Sequence, residues 1–244
     1  MPCFSICGMT HSFFHLPRLF IPMPLVAGAN LLLPEAQSHY LKNVMRRADG
    51  DAVRVFNGGD GEWTAILRHH GKKAVAIEVD KLIRAPEPVA REVHLFFSPI
   101  KKDRNDMLIE KAVELGATHL HPVLFQRSNT RDIKVERVEA QIIEAAEQCE
   151  RMDIPVLLPL QDLKKALVGW NGDVPVFAAI ERSDAEGLKP YTASCGYIVG
   201  PEGGVSPEEI EFLCSKSFVK PVSLGPRILR AETAVFYGLS LLSQ

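Results

Sequence analysis

Hydrophobic and polar positions follow two different rhythms along the chain. Between residues 18 and 83 they alternate in short runs broken by tight turns. "DAVRVFNGGDGEWTAILRHHGKKAVAIEV" holds three β-rich runs, separated by Asn57-Gly58-Gly59-Asp60-Gly61 and by His70-Gly71-Lys72. Hairpins this closely spaced predict a small barrel. One helix interrupts them, "PEAQSHYLKNVMRR" from Pro34 to Arg47. "RAPEPVARE", Arg84 to Glu92, has two prolines and alternating charge and reads as a linker.

Beyond the linker the period lengthens. "EVHLFFSPI", "THLHPVLF", "VPVFAAIE", "GYIVG" and "KPVSLG" are continuously apolar runs, as strands covered on both faces must be. "DRNDMLIEKAVELG" reads as a helix closed by Gly116. "KVERVEAQIIEAAEQCERM" reads as a longer one, with Val135, Val138, Ile142, Ala145, Cys149 and Met152 on a single stripe. Strands alternating with helices predict a parallel α/β sheet. The expected organisation is a mobile tail over residues 1–16, a barrel over 17–86 and an α/β domain over 87–244. No internal repeat or low-complexity tract is present in the 244 residues.

Composition adds exclusions. Charged residues make up 24% and apolar ones 46%, which excludes disorder as the main state. The net charge of −2 excludes strong attraction of the whole molecule to nucleic acid, so basic clusters must be weighed one by one. Up to Ala90 there are 10 Lys and Arg against 8 Asp and Glu; the remainder has 18 against 22. The five cysteines, Cys3, Cys7, Cys149, Cys195 and Cys214, form no C-x-x-C pair and read as reduced thiols of a cytosolic protein. Cys149 and Cys214 are expected to pack on apolar helix faces. No zinc spacing and no carboxylate/histidine ligand cluster is visible, so no metal is expected. The apolar N-terminus lacks a basic region before Arg18 and makes a poor signal peptide, and no segment is long enough to span a membrane.

The chemistry-bearing stretches come late. "IVGPEGGVSPEEIEFL" runs from strand through Gly200-Pro201-Glu202-Gly203-Gly204 into a helix that starts at a Ser206–Glu209 capping box. "SLGPRILRAETA", Ser223 to Ala234, again places a Gly-Pro turn between a short strand and a helix. Such loops sit where open α/β sheets bind ligands, and their glycines admit a ligand close to the backbone. Neither G-x-G-x-x-G nor the P-loop spacing is present.

Together, "GPEGG" and "LGPRILRAETA" resemble the SPOUT class of S-adenosylmethionine-dependent RNA methyltransferases. Within it they resemble most the bacterial enzymes that methylate N3 of a uridine in 16S ribosomal RNA. "KKDRNDMLIEKAVELGATHLHPV", "EAAEQCERMDIPVLLP", "PRLFI" and "HYLKNVMRRADGD" extend the likeness to roughly residues 17–244. The resemblance implies a PUA-like RNA-binding barrel followed by a trefoil-knotted α/β domain, S-adenosylmethionine as cofactor, a homodimer, and ribosomal RNA or the small ribosomal subunit as partner. It also implies cofactor contacts at Ala179, Gly200, Pro201, Gly203, Leu224, Gly225, Ile228, Leu229 and Thr233.

Methylating neutral N3–H requires the proton to leave or the anion to be stabilised. Arg230 is expected to stabilise it and to orient the carbonyl oxygens; a guanidinium does not itself act as base. The base stays open between solvent, Glu202 and a group of a second subunit. For RNA, His39, Lys42 and Arg46 share a helix face at i, i+3 and i+7, with Arg18 and Arg47 nearby. Lys101, Lys102 and Arg104 form a second basic group. Arg151, on the helix with Glu147 and Gln148, is expected to face RNA or an interface. Rival functions are a nonenzymatic RNA-binding protein and an RNA 2′-O-ribose methyltransferase of the same class.

Overall fold

A computed structural model of the chain describes residues 13–71, 74–181 and 184–242. Cys3, Cys7, most of the expected tail and Lys72 of the second hairpin turn lie outside the described residues. The chain forms two compact units that divide between Pro88 and Val89.

In the first unit, β1 (Arg18–Phe20), β2 (Asn30–Leu32), β3 (Ala52–Asn57), β4 (Gly61–His70) and β5 (Ala74–Arg84) build a five-stranded sheet in the order β1-β3-β4-β5-β2. The pairing is antiparallel except for β1 on β3. Leu19, Ile21, Val53, Val55, Leu67 and Ile77 fill its core. Asn57 organises the first hairpin turn: its Oδ1 accepts from Asp60 N–H at 2.6 Å and from Gly59 N–H at 3.1 Å. An added Cβ at Gly61 would meet the Arg84 carbonyl oxygen at 2.5 Å, which ties the turn to the end of β5.

The expected helix over Pro34–Arg47 is shorter and broken. α1 (Glu35–His39) passes into a π-helical turn over Tyr40–Val44, and Arg46 then takes a left-handed φ of 52°. The wider turn changes the angular step per residue, so the i, i+7 alignment of His39 with Arg46 does not hold.

The second unit is a parallel sheet in the order β12-β10-β11-β6-β7-β8. Its strands are β6 (Val93–Phe97), β7 (His119–Leu124), β8 (Val156–Leu157), β10 (Val176–Ala179), β11 (Cys195–Val199) and β12 (Val219–Val222); β9 (Gln161–Asp162) also pairs with β7. α2 (Lys102–Glu114), α3 (Val135–Gln148) and α6 (Ala231–Leu242) cover one face, and α4 (Leu163–Ala166) and α5 (Pro207–Cys214) cover the other. The strand period of two sorts the side chains between them. On β6, Val93, Leu95 and Phe97 join the first core, while Phe96 joins the second. This is the expected layout, a parallel α/β sheet preceded by a small, mostly antiparallel β unit.

α3 ends at Gln148, so Cys149 falls past its last turn and is exposed; Cys214 is exposed at the end of α5. Neither packs as the sequence pattern suggested, and among the described residues the buried thiol is Cys195 on β11. No described helix is long and apolar enough to cross a membrane.

One packing detail joins strand to helix. The Tyr197 ring on β11 is fully buried, and its hydroxyl donates to the Ala234 carbonyl oxygen of α6 at 2.8 Å. Gly238 faces that ring across α6, where a Cβ would lie 2.1 Å from Tyr197 Cζ.

Candidate active site

Because β12, β10 and β11 are parallel neighbours, their carboxyl ends and the loops leaving them open at one edge of the sheet. A cavity of about 980 Å³ lies there.

Its first wall is the turn after β11. Gly204 N–H donates to Pro201 C=O at 2.8 Å, and Gly204 has a left-handed φ of 75°. Two other glycines are fixed by packing. A Cβ at Gly200 would strike Val205 Cγ2 at 2.5 Å, and one at Gly203 would press on Cβ and the carbonyl oxygen of Arg127 at 3.0 and 3.1 Å. The bare backbone therefore has a protein-internal reason at both positions, besides any approach of a ligand.

α5 holds this wall through the capping box. Ser206 Oγ accepts from Glu209 N–H at 3.2 Å, and Glu209 Oε2 accepts from Ser206 N–H at 2.9 Å. The other oxygen of the same buried carboxylate accepts from Gln126 N–H at 2.7 Å, fastening the loop after β7. Arg127 next to it donates to the Gly203 carbonyl oxygen at 3.3 Å.

The second wall is the loop between β12 and α6. Gly225 turns it with a φ of 103°, and Gly225 N–H donates to Ser223 Oγ at 3.2 Å. Leu224, Ile228 and Leu229 offer apolar surface, and Ile228 is 58% exposed. Ala179 lines the cavity from the end of β10. Arg104 reaches in from the first turn of α2: Nη2 lies 2.5 Å from Glu202 Oε1, and Nη1 lies 3.7 Å from Glu232 Oε1.

The structure thus gathers Ala179, Gly200, Pro201, Glu202 and Gly203 with Leu224, Gly225, Ile228, Leu229 and Arg230 around one space. Thr233 stands apart, exposed on α6 and not on the cavity wall. Arg230 is exposed at the mouth, and Glu232 turns to Arg104 rather than to it.

The expected RNA contacts divide. His39 and Arg46 are exposed, Lys42 donates to the Gly71 carbonyl oxygen at 2.9 Å, and Arg47 is half-buried. Lys101 and Lys102 are exposed, whereas Arg104 faces the cavity. Two placements correct the sequence expectation. Arg18 is buried, stacked 3.5 Å from the Phe56 ring centroid and bonded to Glu62 at 3.0 Å; Arg54 shares the same carboxylate oxygen at 3.1 Å. Arg151 donates to the Val113 and Ala117 carbonyl oxygens at 2.6 and 3.0 Å and pairs with Asp153 at 2.5 Å. Both guanidiniums are committed to holding their own unit together rather than to a phosphate.

Sequence reasoning missed Arg127 on the cavity wall and the inward turn of Arg104. Neither has a local signal, since both reach the site across the sheet from elements remote in sequence.

Comparison with known proteins agrees with this geometry. Residues 86–243 match the family model described as an RNA methyltransferase domain, and residues 33–80 match an RNA methyltransferase PUA domain. The chain belongs to the RNA methyltransferase family. Among relatives, the ribosomal RNA small subunit methyltransferase E of Rickettsia conorii is 30% identical over 91% of this chain and 93% of its own. The Synechocystis enzyme of the same name is 34% identical over 91% and 76%. Among solved structures, the small subunit methyltransferase E of Neisseria gonorrhoeae, bound to S-adenosyl methionine, superposes with a TM-score of 0.82 at 29% identity, covering 92% of this chain and 95% of that one. A Legionella pneumophila methyltransferase solved with the same cofactor gives 0.81 at 28%, over 92% and 96%.

Proposed function

We propose that this chain methylates N3 of a uridine in the 16S RNA of the small ribosomal subunit, using S-adenosylmethionine. The observation that carries the reading is the convergence of both Gly-Pro loops on one cavity at the carboxyl ends of β10–β12. The residues fit the cofactor: bare backbone at Gly225, apolar surface at Leu224 and Leu229, and a carboxylate at Glu202. The bound cofactor supplies an electrophilic methyl group on a sulfonium.

The chain's own groups do the rest. The apolar loop residues exclude water and hold the reacting atoms in line. Arg230, at the mouth with no carboxylate partner among the described residues, stabilises the uridine anion as the N3 proton leaves and fixes its carbonyl oxygens. Glu202 is held by Arg104 and becomes free to accept a proton only once that pair opens. Barrel and α/β unit divide the labour, RNA docking on the exposed His39 and Arg46 and chemistry at the loops. The enzyme acts in the cytoplasm as a homodimer.

The test is Arg230→Ala, assayed with labelled S-adenosylmethionine on 30S subunits, together with calorimetry of cofactor binding. We expect methyl transfer to fall about 10²-fold or more, as for loss of a charge-stabilising donor, with cofactor affinity within a few-fold of wild type. Unchanged turnover rejects the role of Arg230, and a methylated ribose in nucleoside mass analysis rejects N3.

A further inference from the structure

At the opposite end of the sheet from the cavity, the strand period and the parallel register bring together residues that are far apart in sequence. His119 and His121 are two apart on β7, so they share a face. His94 on β6 is the register partner of His119, and Glu92 precedes His94 by two positions on the same side. The His94 and His119 rings stack 4.1 Å apart at 10°. One ligand atom each from Glu92, His94 and His119 lies within 4.8 Å of the others.

We propose that Glu92, His94 and His119 bind one divalent transition-metal ion of the zinc type. Two imidazoles and a carboxylate are the donor set such an ion takes, leaving a fourth position toward solvent. A tetrahedral site needs donors about 3.4 Å apart, which follows from bonds of about 2.1 Å. An imidazole binds an ion in its own plane, so the closing movement is a turn of the half-buried His119 ring out of its stack on His94 together with a rotamer change of Glu92, whose side chain is 60% exposed.

The surroundings do what partners of metal-bound histidines do. His94 Nδ1 lies 3.0 Å from His121 Nε2, and His119 Nδ1 lies 2.9 Å from Thr118 Oγ1. The first contact fixes the His94 ring and leaves its Nε2 for the ion; the second engages His119 Nδ1 and leaves its Nε2 for the ion once that ring turns. His94 Nε2 now lies 3.1 Å from Glu92 Oε2. The ion takes both atoms by selecting the tautomer in which His94 Nδ1–H donates to His121, so binding releases no proton from a neutral ring. Trp170 stands edge-on at 4.9 Å from His94, and Phe96 stacks on His121 at 4.2 Å; both close the inner side to water. An ion here staples β6 to β7 at their amino ends and takes no part in methyl transfer.

Full-length protein stripped with a chelator is titrated with zinc sulfate by calorimetry and followed by thermal unfolding. We expect one ion per chain with a Kd of about 1 μM or tighter, and a Tm that rises with the logarithm of zinc concentration. Glu92→Gln, at an exposed position that leaves the fold intact, weakens binding about 10-fold or more, and His119→Ala weakens it about 100-fold. His70→Ala, in the other unit, leaves binding unchanged. Absence of saturable binding up to about 100 μM zinc overturns the proposal. Binding that survives both Glu92→Gln and His119→Ala also overturns it.

Discussion

Replacing Gly238 by alanine sets two effects of similar size against each other. In an ordinary helix interior alanine is favoured over glycine by about 1 kcal/mol. Here the new Cβ would lie 2.1 Å from Tyr197 Cζ and 2.3 Å from both Cε1 and Oη, where contacts of about 3.5–4.0 Å are normal. The ring must therefore retreat by well over an ångström, yet it is fully buried among tightly packed neighbours. Overpacking of this kind costs about 1–3 kcal/mol. Moving the ring also breaks the 2.8 Å bond to the Ala234 carbonyl oxygen, a further loss of about 0.5–1.5 kcal/mol. After the helix gain, Gly238→Ala destabilises by about 1–3 kcal/mol. Urea denaturation followed by circular dichroism measures it. Tyr197→Phe, which keeps Cζ, gives no relief in the Gly238→Ala background. Tyr197→Leu, which removes the ring, makes the double variant less destabilised than the sum of the singles. A Gly238→Ala protein as stable as wild type, or more so, refutes the packing account.

Glu62→Ala removes the carboxylate shared by the buried Arg18 and Arg54, and unfolding of the barrel should come about 3–5 kcal/mol earlier in a denaturant titration. Ser206→Ala deletes the side-chain half of the capping box; a loss of about 1 kcal/mol is expected, with Ser206→Asp retaining most of it. His121 is held by burial at about 3, below its ordinary value of 6.5, so in chelator-treated protein its contribution is complete above pH 6.5 and is lost as pH falls toward 3. Thermal melts across that window should show a falling Tm that His121→Phe flattens.

Period and punctuation made much of the α/β unit legible. Runs such as "VHLFF" and "GYIVG" admit few alternatives to buried strands, and Ser206 with Glu209 marks a helix start that the structure reproduces bond for bond. The two Gly-Pro loops were visible as strand-to-helix turns, and they meet at one edge because β11 and β12 flank β10 in parallel. What stayed hidden depended on long-range placement. Residues 94 and 119 meet only through the β6–β7 register. Arg104 and Arg127 enter the cavity from elements whose order in the sheet no local period encodes. A π-helical turn at Tyr40–Val44 stands where the sequence pattern suggested an unbroken helix.

Glu209 uses one oxygen to start α5 and the other to hold the backbone of Gln126. A single carboxylate thus couples two stretches of chain more than eighty residues apart. The glycine turn cannot breathe while the segment after β7 stays still, so amide protons at Gln126, Ser206 and Glu209 should exchange with solvent in one shared event. Any gating of the cavity on this side is then all-or-none.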